Sequence, residues 1–330
     1  MHNAAMKIEA ELQPESALAF AERDLHRLVT VVIVTYRSAK VVPAALASVP
    51  SGVPVVVVDN NSRDPSAALA AAADATVVRN DRNLGFGTAC NQGAVVARTP
   101  FILFLNPDAR LRPGSLAKLV STLLADGLLA AVGPILTTAG RVLRPRRATL
   151  LDLGETPTFA AAPSTPCDVG FISGAAMLVR TDAFRAIGGF DERIFLYLED
   201  DDLCVRLRSA GWRLRLAPEA VVAHEKIPDR ALPTDILRRH NRHTLLSMRY
   251  LAGKHALPFD FEARRRQAWR RLLLALFLLD RRRLHANLGR LQGIGGFPFG
   301  PRALPERRAE NSSPGPTVGQ GVAAGASQRA

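Results

Sequence analysis

Cysteine is nearly absent. Cys90, Cys167 and Cys204 are the only 3 in 330 residues, and their wide spacing excludes a disulfide scaffold and a cysteine zinc ribbon. Aromatic residues are also sparse, at 6%. That is too few to interleave with basic side chains in a base-stacking surface, and no nucleic-acid recognition module is evident, so nucleic acid is not expected as a partner. No apolar run reaches the ~18 residues of a membrane-spanning helix. The N-terminus has no basic-then-apolar signal layout and carries Glu9, Glu11, Glu15 and Glu22 instead, which points to a cytoplasmic protein. Internal repeats are lacking too.

What is present suffices for a sizeable core: 48% of residues are hydrophobic and 22% charged, which excludes a wholly disordered chain. The length suits about two domains of ~150 residues, or one large α/β domain with an appendage. Charge divides the chain. Residues 1–237 hold 25 basic and 25 acidic side chains, whereas residues 238–330 hold 18 and 5, so the whole net charge of +13 sits at the C-terminal end. A basic appendage on a neutral body is either a solvated face or a surface for a polyanionic partner.

Strand and helix signals alternate. Residues 1–27 read as a polar, Ala-rich extension. Val29–Thr35 and Val53–Val58 are β-branched runs of the kind buried on both faces of a parallel sheet. Helices are expected near Ala39–Ser48, Pro65–Ala73, Phe86–Ala97 and Ser115–Ala125, with strands at Ala75–Val78, Phe101–Leu105 and Ala130–Ile135. Residues 137–168, rich in Thr, Pro and Arg, read as an irregular loop or flap. A strand at Ser173–Val179, helices at Asp182–Ile187 and Glu199–Ala210, and a strand at Arg213–Val222 follow. The chain then reads as helical from Thr234 and as a disordered tail over 301–330. This is an α/β pattern with a Rossmann-like, mostly parallel sheet flanked by helices, whose ligands sit at the carboxyl ends of strands. Thr35-Tyr36, Asp59 and Asp108 all fall at such ends. The first strand-to-helix turn, Tyr36-Arg-Ser-Ala39, lacks the glycines of a dinucleotide-binding dehydrogenase.

Four groups of residues can carry chemistry. Asp59-Asn-Asn-Ser62 either caps a helix or accepts hydrogen bonds from a nucleobase imide or ribose hydroxyls. Gly85-Phe-Gly87, beside Asn83 and Asn91, is a plain turn or a phosphate cradle opening a helix. Asn106-Pro-Asp108 is an Asx turn, or it presents a carboxylate to Mg²⁺ or Mn²⁺. Glu199-Asp-Asp-Asp202 suits a helix start by charge alone. Successive residues fan out around a helix in ~100° steps, so at most two of these four can face one ligand, where one can act as a general base.

The order of these motifs resembles the family 2 glycosyltransferases with the GT-A fold, and especially their bacterial rhamnosyltransferase-like branch. The resemblance covers about residues 28–250. It rests on Val-Thr-Tyr36, Val-Asp59-Asn-Asn-Ser, Asn83-Leu-Gly-Phe-Gly with Cys90-Asn91-Gln-Gly, and Leu-Asn-Pro-Asp108-Ala. It continues through Ser173-Gly-Ala-Ala-Met-Leu-Val-Arg180, Gly-Gly-Phe-Asp191-Glu and Tyr-Leu-Glu199-Asp-Asp-Asp202-Leu, with Arg206 and Ala-Gly211 after it. The resemblance implies a transferase domain at 28–233, a basic helical region at 234–300 and an inverting transfer from a nucleotide-sugar donor.

Position by position, the resemblance implies that Asp59 holds the nucleotide base with Thr35 and Tyr36 lining its pocket, and that Asn61, Asn83, Gly85, Asn91 and Asn106 complete the donor side. Asn106-Pro-Asp108 matches an Asp-x-Asp metal motif with its first Asp replaced by Asn, leaving Asp108 as the main ligand. Asp200 is the implied base, and Gly174, Glu199 and Asp202 flank the acceptor. His224 falls where a further metal or diphosphate contact is common, and otherwise reads as an ordinary strand-end histidine. Past it, Glu225-Lys-Ile-Pro-Asp-Arg230 replaces the Gly/Ser-rich stretch usual in the branch. The expected donor is dTDP-rhamnose or a UDP-hexose, and the acceptor a lipid-linked glycan or polysaccharide of the cell envelope. A nucleotide-sugar-binding relative without turnover is the reading from another class.

The basic region suits that acceptor. Residues 264–290 place Leu272–Leu279 between arginine clusters with Trp269 at the margin. Such a helix lies in an anionic membrane interface on the cytoplasmic face, or packs on protein.

Overall fold

The computed structural model describes residues 14–143, 162–225 and 231–295. The middle of the expected 137–168 loop and the 301–330 tail lie outside the described residues. After α1 (Pro14–Leu28), the strands β1 (Val29–Thr35), β2 (Val55–Asp59), β3 (Thr76–Arg79) and β4 (Phe101–Leu105) alternate with α2 (Val42–Ala47), α3 (Ser66–Ala72) and α4 (Phe86–Val96). These strands pair in parallel in the spatial order β3-β2-β1-β4. All seven residues of β1 are buried. Val31 and Ile33 face one core with Leu116, Leu119 and Leu123, while Val32 and Val34 face another with Ala89, Cys90 and Phe104. Burial on both faces is why this strand is β-branched throughout rather than alternating.

The second half comprises β5 (Ala109–Leu111), α5 (Ser115–Leu124), β6 (Leu129–Thr138), β7 (Arg141–Val142), β8 (Cys167–Asp168), β9 (Ala176–Arg180), α6 (Thr181–Ala186), α7 (Glu199–Ser209) and β10 (Arg213–His224). The sheet continues from β4 as β9-β6-β10-β5, with β9 antiparallel to both its neighbours. Both ends of the expected 137–168 loop are in fact paired. Ala139 and Gly140, at φ 48° and 74°, form a two-residue turn joining β6 to β7, and Cys167–Asp168 pairs with β10. Left-handed backbone at both turn positions favours a tight hairpin, and Ala-Gly is a weak sequence signal for it. Arg180 is buried yet satisfied: it donates to the carbonyls of Leu129 (2.7 Å) and Leu123 (2.9 Å), the latter at the end of α5. Phe104, Phe184 and Phe190 interlock with ring centroids 5.1–5.5 Å apart, a geometry contributing about 0.5–1.5 kcal/mol per pair beyond burial.

Three helices follow: α8 (Thr234–Lys254), α9 (Phe261–Phe277) and α10 (Arg281–Ile294). Asp260 and Asp280 cap the last two by accepting from Ala263 N–H (2.7 Å) and Arg283 N–H (2.9 Å). Gly289 lets α10 close on α8, because a Cβ there would collide with the Arg238 carbonyl. No helix among the described residues is long and apolar enough to cross a membrane.

Helix α8 is not a loose appendage. It runs along the segment 191–202 and is tied to it by Lys254, which bridges Asp191 (2.7 Å) and Asp202 (2.6 Å), by His255 on Asp202 (2.9 Å) and by Tyr250 on Asp191 (2.7 Å). The Asp202 side chain is 0% exposed and also holds Arg206 at 2.7 Å. Burial pushes its pKa up, but the bonds from Lys254, His255 and Arg206 outweigh this and hold it below the ordinary carboxylate value. Removing one member of a buried charge network costs about 3–5 kcal/mol. Urea unfolding of Asp202→Ala should therefore show a loss of that order at pH 7. A depressed folded-state pKa contributes stability that is complete above the unfolded value of ~4 and is lost as pH falls through the folded one. The gap between wild type and Asp202→Ala should narrow below about pH 4.

Candidate active site

The carboxyl ends of β1, β2 and β4 open on one edge of the sheet. Thr35 and Asp59 are register partners there. Thr35 Oγ1 donates to Asp59 Oδ1 (2.8 Å), and Ser62 N–H donates to Oδ2 (3.0 Å). This buried carboxylate is fixed in place before any ligand arrives, with the Tyr36 side chain half-exposed beside it. Asn60 links this corner to the next. Its Nδ2 donates to the Gly85 carbonyl (2.9 Å), while its Oδ1 accepts from Asn80 (2.8 Å). Gly85 has φ 94°, and a Cβ there would strike the Phe195 carbonyl, which accepts from Phe86 N–H at 3.1 Å. The glycine turn is thus a joint between the first half of the sheet and the acidic segment.

Beyond that joint lies a cavity of about 560 Å³ bordered by Phe86, Asn106, Asp108, Gly174, Glu199, Asp200 and His224. Asn106 is held by its own backbone: its N–H donates to Ala175 O (2.9 Å), and its carbonyl accepts from Ala109 N–H (3.0 Å), closing a turn over Pro107-Asp108. That turn leads into β5, which pairs antiparallel with β10 so that Ala109 opposes His224. This pairing brings His224 Nε2 to 3.2 Å from Asp108 Oδ1. Arg110 pairs with Glu225 just outside.

On the opposite wall, Asp200 sits in the first turn of α7. Its Oδ2 accepts from Gly174 N–H (2.8 Å) and its Oδ1 from Asp201 N–H (3.1 Å). Glu199 is buried, with Oε2 lacking a hydrogen-bond partner among the described residues. Its pKa is pushed well up by burial and then by the adjacent Asp200, which favours the neutral acid. Just before α7, Tyr197 and Leu198 are both left-handed (φ 69°), a costly backbone for non-glycine residues that surrounding structure must impose. Here α8 imposes it. His240 packs on the Tyr197 ring (centroids 4.4 Å apart), His243 stacks on Phe195 (4.8 Å), and Ser247 Oγ donates to Leu196 O (2.9 Å). Burial, then Arg242 and Arg239, pull the His243 pKa down to about 4.

The remaining expected residues are placed as follows. Asp202, expected beside the acceptor, is not among the residues bordering the cavity and is bonded into the Lys254–His255–Arg206 network. Asn91, expected on the donor side, clamps Phe190, donating to Phe190 O and accepting from Phe190 N–H, both at 2.9 Å. Asn83 accepts from Gly85 N–H (2.9 Å) and Asn61 donates to Asp81 O (2.8 Å), so both shape the loops beside Asp59. The residues that sequence reasoning missed are on α8: Ile236, His240, Thr244 and Met248 all border the cavity. Their four-residue spacing places them on one stripe of the helix, but the mixed chemistry of Ile, His, Thr and Met gives no hydrophobic periodicity to read.

Asp108 and His224, paired with each other at 3.2 Å on the cavity wall, are the residues that could hold a divalent cation, the carboxylate being the donor that suits Mn²⁺ or Mg²⁺. No third His, Cys, Asp or Glu joins them among the described residues. Such an ion would thus take its remaining ligands from phosphate oxygens and water, as these cations do.

Residues 30–188 match the model of the glycosyl transferase family 2. Over 236 residues the chain is 30% identical to the N-acetylglucosaminyl-diphospho-decaprenol L-rhamnosyltransferase of Mycobacterium tuberculosis, covering 62% of this chain and 76% of that protein. It is 35% identical over 208 residues to the pre-mycofactocin glycosyltransferase of the same organism, covering 61% of this chain but only 43% of that protein. The fold is shared with the mannosyltransferase PcManGT from Pyrobaculum calidifontis, solved with GDP-Man and Mn²⁺, at a TM-score of 0.52 and 16% identity over 88% of this chain and 96% of that one. A mycobacterial protein of known structure aligns at a TM-score of 0.54 and 17% identity, over 76% of this chain and 82% of that one. With the motif order, the fold and these relatives in agreement, the chain belongs to the family 2 glycosyltransferases and is a transferase of the GT-A fold.

Proposed function

We propose that this transferase moves a sugar, with inversion, from a nucleotide-sugar donor to a hydroxyl of a lipid-linked glycan. The observation that carries the reading is that Asp108 and Asp200, far apart in sequence, border one cavity of about 560 Å³. Asp59, with Thr35 and Tyr36, receives the nucleotide base. The donor diphosphate lies toward Asp108 and His224, which would hold Mg²⁺ or Mn²⁺. When bound, that cation supplies neutralisation of the charge that builds on the leaving diphosphate.

Asp200 accepts the proton of the acceptor hydroxyl as its oxygen forms a bond to the anomeric carbon. The bond from that carbon to the diphosphate breaks on the opposite side, and the nucleoside diphosphate leaves. The Gly174 N–H holds the Asp200 carboxylate in one orientation through this step. Glu199, kept toward the neutral form, adds no second negative charge to compete for the proton. Asp108, Glu199 and Asp201 also border the cavity, and with Asp200 as base and Asp108 toward the cation the reading is a single displacement.

The name of the mycobacterial relative supports L-rhamnose as the sugar and a prenyl diphosphate as the acceptor's anchor. A UDP-hexose is the alternative donor. A role in envelope glycan assembly follows from such an acceptor. The paired retention of Asp108 and Asp200 favours turnover over mere binding. Location on the cytoplasmic face of a membrane is supported by α9, whose Leu273, Leu274, Leu276, Phe277, Leu278 and Leu279 are all at least half exposed. Arginines 265, 266, 270, 271 and 281–283 bracket them, an arrangement suited to an anionic interface.

Asp200→Asn should lower transfer by about 10²–10⁴-fold, the usual loss of a general base, with nucleotide binding retained in calorimetry. Turnover near wild type would remove Asp200 from that role. Asp108→Ala should abolish the part of donor binding that depends on Mn²⁺ and that EDTA removes from wild type. In flotation with phosphatidylglycerol vesicles the full chain should rise with the lipid, and Leu276→Ser/Phe277→Ser/Leu279→Ser should stay behind.

A further inference from the structure

A second cavity, about 500 Å³, lies between α8, α9 and α10. Its wall carries four guanidinium groups, Arg271 from α9 and Arg282, Arg283 and Arg290 from α10, and no carboxylate among the described residues. Arg282 donates to the Leu232 carbonyl (2.7 Å), Arg290 to Asn287 Oδ1 (2.9 Å), and Arg283 leans on Asp280 at 3.2 Å. Burial lowers the pKa of Arg290, and the charges of Arg271 and Arg264 lower it further. Four like charges gathered in a recess repel one another, and an anion placed among them removes that cost while accepting bidentate hydrogen bonds.

Two further features give the anion its character. Leu274 stands in the same wall and is 51% exposed, continuous with the bare apolar end of α9. His240 borders both this recess and the cavity that holds Asp200. A ligand seated here would have an anionic centre and an apolar tail on one side, with the cavity of Asp200 as its neighbour across His240.

We propose that this recess binds the diphosphate of a prenyl-linked acceptor. The prenyl chain runs over Leu274 onto the end of α9, and the acceptor sugar passes His240 to reach Asp200. The inference rests on the reading of the enzyme as a transferase with a lipid-linked acceptor, and it names where that acceptor is gripped.

The test is calorimetry on the full chain with farnesyl diphosphate as probe, and with inorganic pyrophosphate and phosphatidylglycerol vesicles in separate arms. Farnesyl diphosphate should bind wild type more tightly than pyrophosphate does. Arg271→Ala/Arg283→Ala, which alters two exposed side chains, should weaken it about tenfold or more, each tenfold being ~1.4 kcal/mol. Nucleotide-sugar binding should not change, and in transfer assays the acceptor KM should rise with kcat retained. Arg290→Met, checked for folding by circular dichroism, should act in the same direction.

Equal affinity of wild type and variants for farnesyl diphosphate overturns the proposal, as does its failure to bind wild type. Pyrophosphate binding as tightly as farnesyl diphosphate overturns the lipid assignment and leaves a free-phosphate site. Loss of vesicle binding alone in the variants would place the arginines on phospholipid instead. Asp200→Asn should bind farnesyl diphosphate as wild type does. Arginine-dependent binding in a chain that transfers no sugar would sink the transferase reading while sparing the recess.

Discussion

One carboxylate sealed from water joins the two halves of this molecule. Asp202 lies on α7 two residues from Asp200, and its charge is tolerable there only because Arg206 from its own helix and Lys254 and His255 from α8 surround it. Helix α8 therefore stabilises the acidic segment through these pairs. It lines the cavity with one stripe of side chains and, through His240, His243 and Ser247, holds the left-handed Tyr197-Leu198 turn that presents Asp200. The strain stored in that turn is offset by contacts lying more than forty residues along the chain.

Much of this was legible beforehand, for reasons that can be stated. The β-branched runs at Val29–Thr35 and Val53–Val58 read as doubly buried strands because both faces of the sheet are covered, so no alternation was needed. Asp59, Asp108 and Asp200 were singled out because each follows a strand or opens a helix where side chains project beyond the sheet, and Asp108 and Asp200 do border one cavity. The acidic run was harder. Helical geometry says that four consecutive carboxylates cannot share one direction, but only distant partners decide which one turns inward. For Asp202 those partners are 52 and 53 residues away. The clamp that Asn91 makes was hidden for the same reason: its partner, Phe190, is 99 residues on.

The basic C-terminal region shows a different kind of concealment. Its arginine content dominates any reading of composition, and it drew attention to charge rather than to periodicity. Within it, Ile236, His240, Thr244 and Met248 repeat every fourth residue but mix apolar, aromatic and hydroxyl side chains, so no hydrophobic stripe is visible. The hairpin that ends β6 was hidden because Ala-Gly is not the dipeptide such turns favour. Asp108 and His224 were each suspected of touching a cation, but what brings them together is β5, a three-residue strand too short for any pattern.

Because the cavity reads α8 at every fourth position, the helix works like a toothed rack meshed with a fixed gear. Inserting or deleting a single residue in its first three turns would swing every later tooth by ~100° around the axis, withdrawing part of the stripe from the cavity. The shape of this wall can thereby be altered by exchanging side chains in place, whereas a change of length that spares it must fall before Thr234 or after Lys254. The rod keeps its span, and only its teeth are free to vary.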